Sequence, residues 1–142
     1  MCVAAGTPGT WIRASHTGVN PLATPRRAYA SSLRVNQGEA RIVQITGLTP
    51  GVPDNAVGIL GNLTVFDMIG GGYVTLYPAG SARPDTSSIN WNETAPVPGF
   101  AIANSFSVGL GTGGAVTVFA DATVPAGAPA TQVLIDVTAY IL

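Results

Sequence analysis

Apolar and polar residues alternate with a period of two along most of this chain, and no segment sustains the 3.6-residue period of an amphipathic helix. Residues 58–78, GILGNLTVFDMIGGGYVTLYP, carry the strongest pattern. Ile59 to Asp67 is rich in β-branched and aromatic residues, and Gly70, Gly71 and Gly72 supply a turn that can take positive φ. Tyr73 to Tyr77 then alternates again. The two runs predict a central β-hairpin with Tyr73, Thr75 and Tyr77 on one face and Val74 and Leu76 on the other. Pro78, which has no N–H to donate, ends the ladder.

The remaining pattern is read around that hairpin. Residues 1–25 hold four turn signals, Thr-Pro-Gly, Thr-Gly, Asn-Pro and Thr-Pro, about a short apolar patch at Trp11 and Ile12, and read as an extended arm with one short strand. Arg26 to Val35 is a weak strand region and Glu39 to Thr46 a better one, apolar on both sides as if both faces were covered. A loop over residues 79–87 leads to a short strand, Ser88 to Trp91, and a second loop runs from Asn92 to Gly99. Phe100 to Leu110 places Ile102, Asn104, Phe106, Val108 and Leu110 on one face, with small residues on the other that predict close coverage. Gly111 to Gly114 turns this run into Ala115 to Ala120. Thr131 to Leu142 is a long final strand with Val133, Ile135, Val137 and Ala139 on one face.

The hairpin has an echo 42 residues later: Ile59-Leu60-Gly61-Asn62 is matched by Ala101-Ile102-Ala103-Asn104, and Gly71 to Tyr77 by Gly113 to Phe119. Two stacked copies of one hairpin predict two packed sheets in preference to a barrel. The expected fold is all-β, an antiparallel, jelly-roll-like β-sandwich of about nine strands over residues 26–142, preceded by the arm over residues 1–25.

Composition narrows the function. A chain of 142 residues buries enough surface to need neither disulfide nor metal, and its 18 glycines and 11 prolines fit many short strands. Only 9% of residues are charged, and the net charge of −1 with scattered arginines argues against a nucleic-acid partner. The single cysteine, Cys2, has no internal partner, and no zinc-ligand spacing occurs. No apolar run reaches the roughly 20 residues that span a bilayer, so neither membrane insertion nor a signal peptide is expected.

Catalytic constellations are equally thin. The only histidine, His16, sits in the turn-rich arm, and the seven acids, Glu39, Asp54, Asp67, Asp85, Glu93, Asp121 and Asp136, are spread along the chain. Asp136 alone interrupts an apolar strand and calls for a hydrogen-bond partner or an arginine. The glycine clusters open no helix carrying a lysine, which makes them turns and not phosphate cradles. Asn62 and Asn104 are placed to satisfy backbone groups of neighbouring loops. Trp11, Tyr29, Tyr73, Tyr77 and Trp91 are the candidate flat faces for stacking on a glycan or for covering a subunit contact.

The order Thr24-Pro25-Arg26-Arg27-Ala28-Tyr29, then residues 51–80, then RPDTSSINW, IANSFSVGLGTGGAVTVFA and QVLIDVTAYIL resembles a β-sandwich module of actinobacterial surface proteins and of the phages that infect such hosts. The most specific parts are Gly72 to Pro78, Ser87 to Asn90 and Ile135-Asp136-Val137. The family's Arg-x-Tyr-Asp-Thr-Arg-like tract reads here Arg27-Ala28-Tyr29-Ala30-Ser31-Ser32. The opening Cys2 to Trp11 is similar to linking tracts of phage tail fibres and other trimeric virion proteins. The resemblance implies a non-enzymatic virion protein, a capsid decoration or fibre head assembled as a homotrimer beside capsid or shaft proteins, without cofactor or catalytic residues. The alternative is a carbohydrate-binding or adhesion module of a bacterial surface protein that contacts host or surface glycans.

Overall fold

Strands form wherever the alternation lets one row of Val, Ile and Leu face inward. The computed structural model describes residues 2–4, 10–11, 18–92 and 99–142, and within them eleven strands. Two short ones open the chain, β1 (Cys2–Ala4) and β2 (Thr10–Trp11), paired antiparallel. There follow β3 (Val19–Ala30), β4 (Val35–Asn36), β5 (Ala40–Gln44), β6 (Gly58–Phe66) and β7 (Gly72–Pro78). The chain ends with β8 (Ile89–Trp91), β9 (Ala101–Gly109), β10 (Ala115–Ala122) and β11 (Pro129–Ile141).

The all-β sandwich is as expected, and its order is that of a jelly roll. One sheet runs β5-β10-β7-β8 and the other β3-β11-β6-β9, with β4 also pairing with β11. The antiparallel pairs are nested: β3 with β11, β5 with β10, β6 with β9 and β7 with β8. The molecule is thus one long hairpin rolled up on itself, with its tip at the loop between β7 and β8. Between the sheets lie Ile59, Leu63 and Val65 of β6, Val74 and Leu76 of β7, Val116 and Val118 of β10, and Val133, Ile135 and Val137 of β11. Full burial of each such side chain contributes roughly 1.5–3 kcal/mol.

This topology corrects the central hairpin. β6 pairs with β11 and β9, and β7 pairs with β10 and β8, so residues 58–78 form a corner that crosses between sheets. The second copy, β9 to β10, crosses in the same way. A corner wins because both strands have an apolar row to bury, and two rows bury each other only across the sandwich. The glycines serve the corner differently from a hairpin turn. Gly70 alone of the three takes positive φ, at 69°. Gly72 lies in β7, where a Cβ would stand 2.3 Å from the Asp121 carbonyl oxygen and 2.6 Å from the Trp91 ring.

Three further expectations change. β5 is covered on one face only, with Val43 and Ile45 buried and Ile42 73% exposed. The small-residue side of β9 is open, since Ala101, Ala103, Ser105, Ser107 and Gly109 are all exposed. Residues 19–25, read as arm, form the first half of β3, where Pro21 opposes Ala139 and Val19 opposes Ile141. Main-chain pairing does not need an apolar side chain, which is why the turn-rich sequence gave no sign of it.

Candidate functional site

Most charged groups of the fold are spent on holding loops and strands. Arg27 of β3 binds Asp136 of β11 through both carboxylate oxygens, supplying the arginine that this interrupted strand calls for. The bond to Asp136 raises the Arg27 pKa above its ordinary value. Arg34 donates to the Asp67 carbonyl at 2.7 Å and pairs with its carboxylate at 2.6 Å, fixing the start of the corner where Asp67 takes a φ of 52°. Arg41 pairs with Glu39 and also donates to the carbonyls of Leu33 and Arg34, at 3.1 and 2.7 Å. The bond to Arg41 holds the Glu39 carboxyl below the usual carboxylate range, helped by the Asn36 N–H, and Glu39 in turn raises the Arg41 pKa.

The chemistry left over gathers at the tip of the rolled hairpin. After Pro78 the loop over residues 79–88 turns back across the outer face of β7 and β10. Thr75 donates to the Thr86 carbonyl at 2.6 Å, the Ser88 hydroxyl accepts from the Leu76 N–H at 2.9 Å, and Arg83 stacks over the Phe119 ring at 3.9 Å. Two shallow clefts, of about 440 and 260 Å³, adjoin there and share Tyr73 and Asn90 in their walls. Asp121 and Asn92 line the larger, Arg83 and Asp85 the smaller.

Tyr73 is half-buried between the clefts, with its hydroxyl donating to Asp121 Oδ2 at 3.2 Å. Gln37 Nε2 holds the other oxygen of that carboxylate at 3.1 Å, and Arg83 Nη1 lies 3.5 Å from the tyrosine hydroxyl. Asn90 donates to the Ser87 hydroxyl at 2.9 Å and lines both clefts. Asp85 is exposed, and among the described residues its carboxylate has no partner.

The five aromatic candidates fare differently. Tyr73 and Trp91 meet in the larger cleft, but Trp91 is 3% exposed and its Nε1 donates to the Gly70 carbonyl at 2.6 Å, so it pins the corner and offers no open face. Tyr77 is 8% exposed and offers no open face. Tyr29 is half-buried on β3, away from the groove. The side chain of Trp11, like His16 and Glu93, lies outside the described residues. Arg83 and Asn90 were not among the sequence candidates, and Asp85 and Asp121 entered only among the seven scattered acids. The signal for Arg83 and Asp85 was a polar run, Arg83 to Ser88, soon after a strand with outward tyrosines.

Asn104 Nδ2 reaches the Ser88 carbonyl at 3.2 Å, the loop-satisfying use expected of it. Among the described residues no group of three or more His, Cys, Asp or Glu side chains is placed to hold a metal, and no helix is long and apolar enough to cross a membrane. Set against known protein families and against curated proteins, the chain matches none.

Proposed function

We propose that this chain is a non-enzymatic structural module of a phage particle, a capsid decoration or fibre head at the virion surface, assembled as a homotrimer. The nested strand order carries the reading, because jelly rolls recur in viral coat and lectin domains. A fold alone hosts many functions. The added weight comes from the resemblance to virion and surface modules, whose motifs are spread over residues 22–142.

The open face of β9 supports self-assembly. It presents Ala101, Ala103, Ser105 and Ser107, all small and uncharged, beside Phe100, which is 38% exposed. A closed ring of like subunits is a common way to cover such a surface, and the opening tract Cys2 to Trp11 favours a threefold ring. The groove around Tyr73 favours the second reading, a carbohydrate-binding module of a bacterial surface protein. Light scattering and antibody labelling of purified particles test the proposal. A trimer that decorates intact particles supports it, a stable monomer at micromolar concentration overturns the trimer, and particles free of the chain overturn the virion placement.

A further inference from the structure

We propose that the groove at the tip of the rolled hairpin is a binding site for a neutral oligosaccharide, with the Tyr73 ring as its apolar floor and Asp85 and Asn90 as its hydrogen-bonding wall. This inference stands on the groove alone and holds whether the module sits on a particle or on a cell.

The tyrosine is fixed before any ligand arrives. Its hydroxyl is tied to Asp121, that carboxylate is tied to Gln37, and the neighbouring Arg83 is stacked on Phe119. A ring held this way loses little freedom on binding, which is where much of the cost of recognising a flexible ligand lies. Its remaining open face suits the C–H face of a sugar ring, since an aromatic side chain offers flat apolar area at the edge of water.

The walls match hydroxyl groups. An unpartnered carboxylate is an acceptor only, with two oxygens that can take both hydrogens of a vicinal diol. Among the described residues Asp85 is such a group, and the Asn90 amide and the Thr86 and Ser87 hydroxyls add short, mixed donors and acceptors beside it. The clefts, at about 440 and 260 Å³, are of the order of small-ligand sites. Charge selects within this class. Two carboxylates, Asp85 and Asp121, face one guanidinium, Arg83, so an acidic sugar meets net repulsion and a neutral one does not.

The test is a titration of the full chain with maltotetraose, cellotetraose and a β-1,4-galactotetraose, with tetragalacturonate as the acidic comparison, followed through backbone amide signals. At least one neutral tetrasaccharide should shift Tyr73, Asn90 and Asp121 saturably below about 10 mM, and tetragalacturonate should bind at least about tenfold more weakly. Tyr73→Ala should weaken binding about tenfold or more. Asp85→Ala, at an exposed position that cannot unfold the domain, should do the same with an unchanged melting temperature. Tyr73→Phe, which keeps the ring but unties it from Asp121, should weaken binding less than Tyr73→Ala does. No shift with any of the three neutral sugars, shifts confined to another surface, preference for tetragalacturonate, or binding indifferent to Asp85→Ala would each overturn the proposal.

Discussion

β7 and β10 lie side by side with Leu76 opposite Val118, residues that stand 42 positions apart in the repeated stretch, and both are buried. β6 and β9 also lie side by side, yet there Leu63 opposes Asn104 and Asn62 opposes Ser105. Opposed residues share a face. Asn62 is therefore on the outside, while Asn104, its counterpart in the repeat, is on the inner side and bonds the Ser88 carbonyl at the sandwich edge. One residue of slip inverts a whole strand. The repeat keeps its faces where both copies are flanked by strands on either side, as β7 and β10 are. It loses them where one copy, β6, is interior and the other, β9, is an edge.

The largest effect is expected within β6. Leu63→Ala, at a position with no exposure, should destabilise the fold by about 2–5 kcal/mol in urea unfolding. Asn62→Ala next to it, and Ser105→Ala opposite, should stay within about 0.5 kcal/mol. Equal costs for Leu63→Ala and Asn62→Ala would mean that the assigned faces are wrong.

The corner gives the next largest effect. Gly72→Val places carbon atoms against the Asp121 carbonyl and the Trp91 ring, and should cost more than about 2 kcal/mol. Gly71→Ala, whose nearest neighbour would be the Trp91 carbonyl at 3.5 Å, should leave stability within about 0.5 kcal/mol. If the two substitutions cost the same, the close approach at Gly72 is not what shapes the first corner.

Smaller effects come from the ion pairs, one between neighbouring strands of a sheet and one at the start of β5. Arg27→Ala, on the outer side of the β6/β9 sheet, removes a half-exposed pair and should cost about 0.2–1 kcal/mol, less at high salt. Glu39, which binds beside β10, titrates below its ordinary value when folded. A depressed carboxyl contributes stability that is complete above its unfolded value of about 4.3 and is lost as the pH falls through the folded value. Glu39→Gln should accordingly flatten the stability curve below about pH 5 and change its slope little above. An unaltered acid limb would remove Glu39 from the account.

Much of the strand layout was legible because a period of two records which row is buried. Val133 to Ala139 and Val74 with Leu76 face the core as the alternation implies, whereas Trp91, a candidate open face, is buried. Which strand lies next to which was not legible, since the same alternation serves a hairpin or a corner, and pairings such as β3 with β11 join distant parts of the chain. The site was legible in part for the same reason. Tyr73 and Tyr77 share a face in sequence, but only the fold shows Tyr77 buried and Tyr73 left between two clefts.

The repeated unit crosses between sheets and thereby places Tyr73 at the tip of a rolled hairpin. Backbone proton contacts in the isotope-labelled chain test it most directly. Close contacts are expected between Leu63 and Asn104 and between Leu76 and Val118, with a ladder joining Tyr73 to Asn90. A continuous backbone ladder joining Ile59–Phe66 to Tyr73–Tyr77 would contradict it.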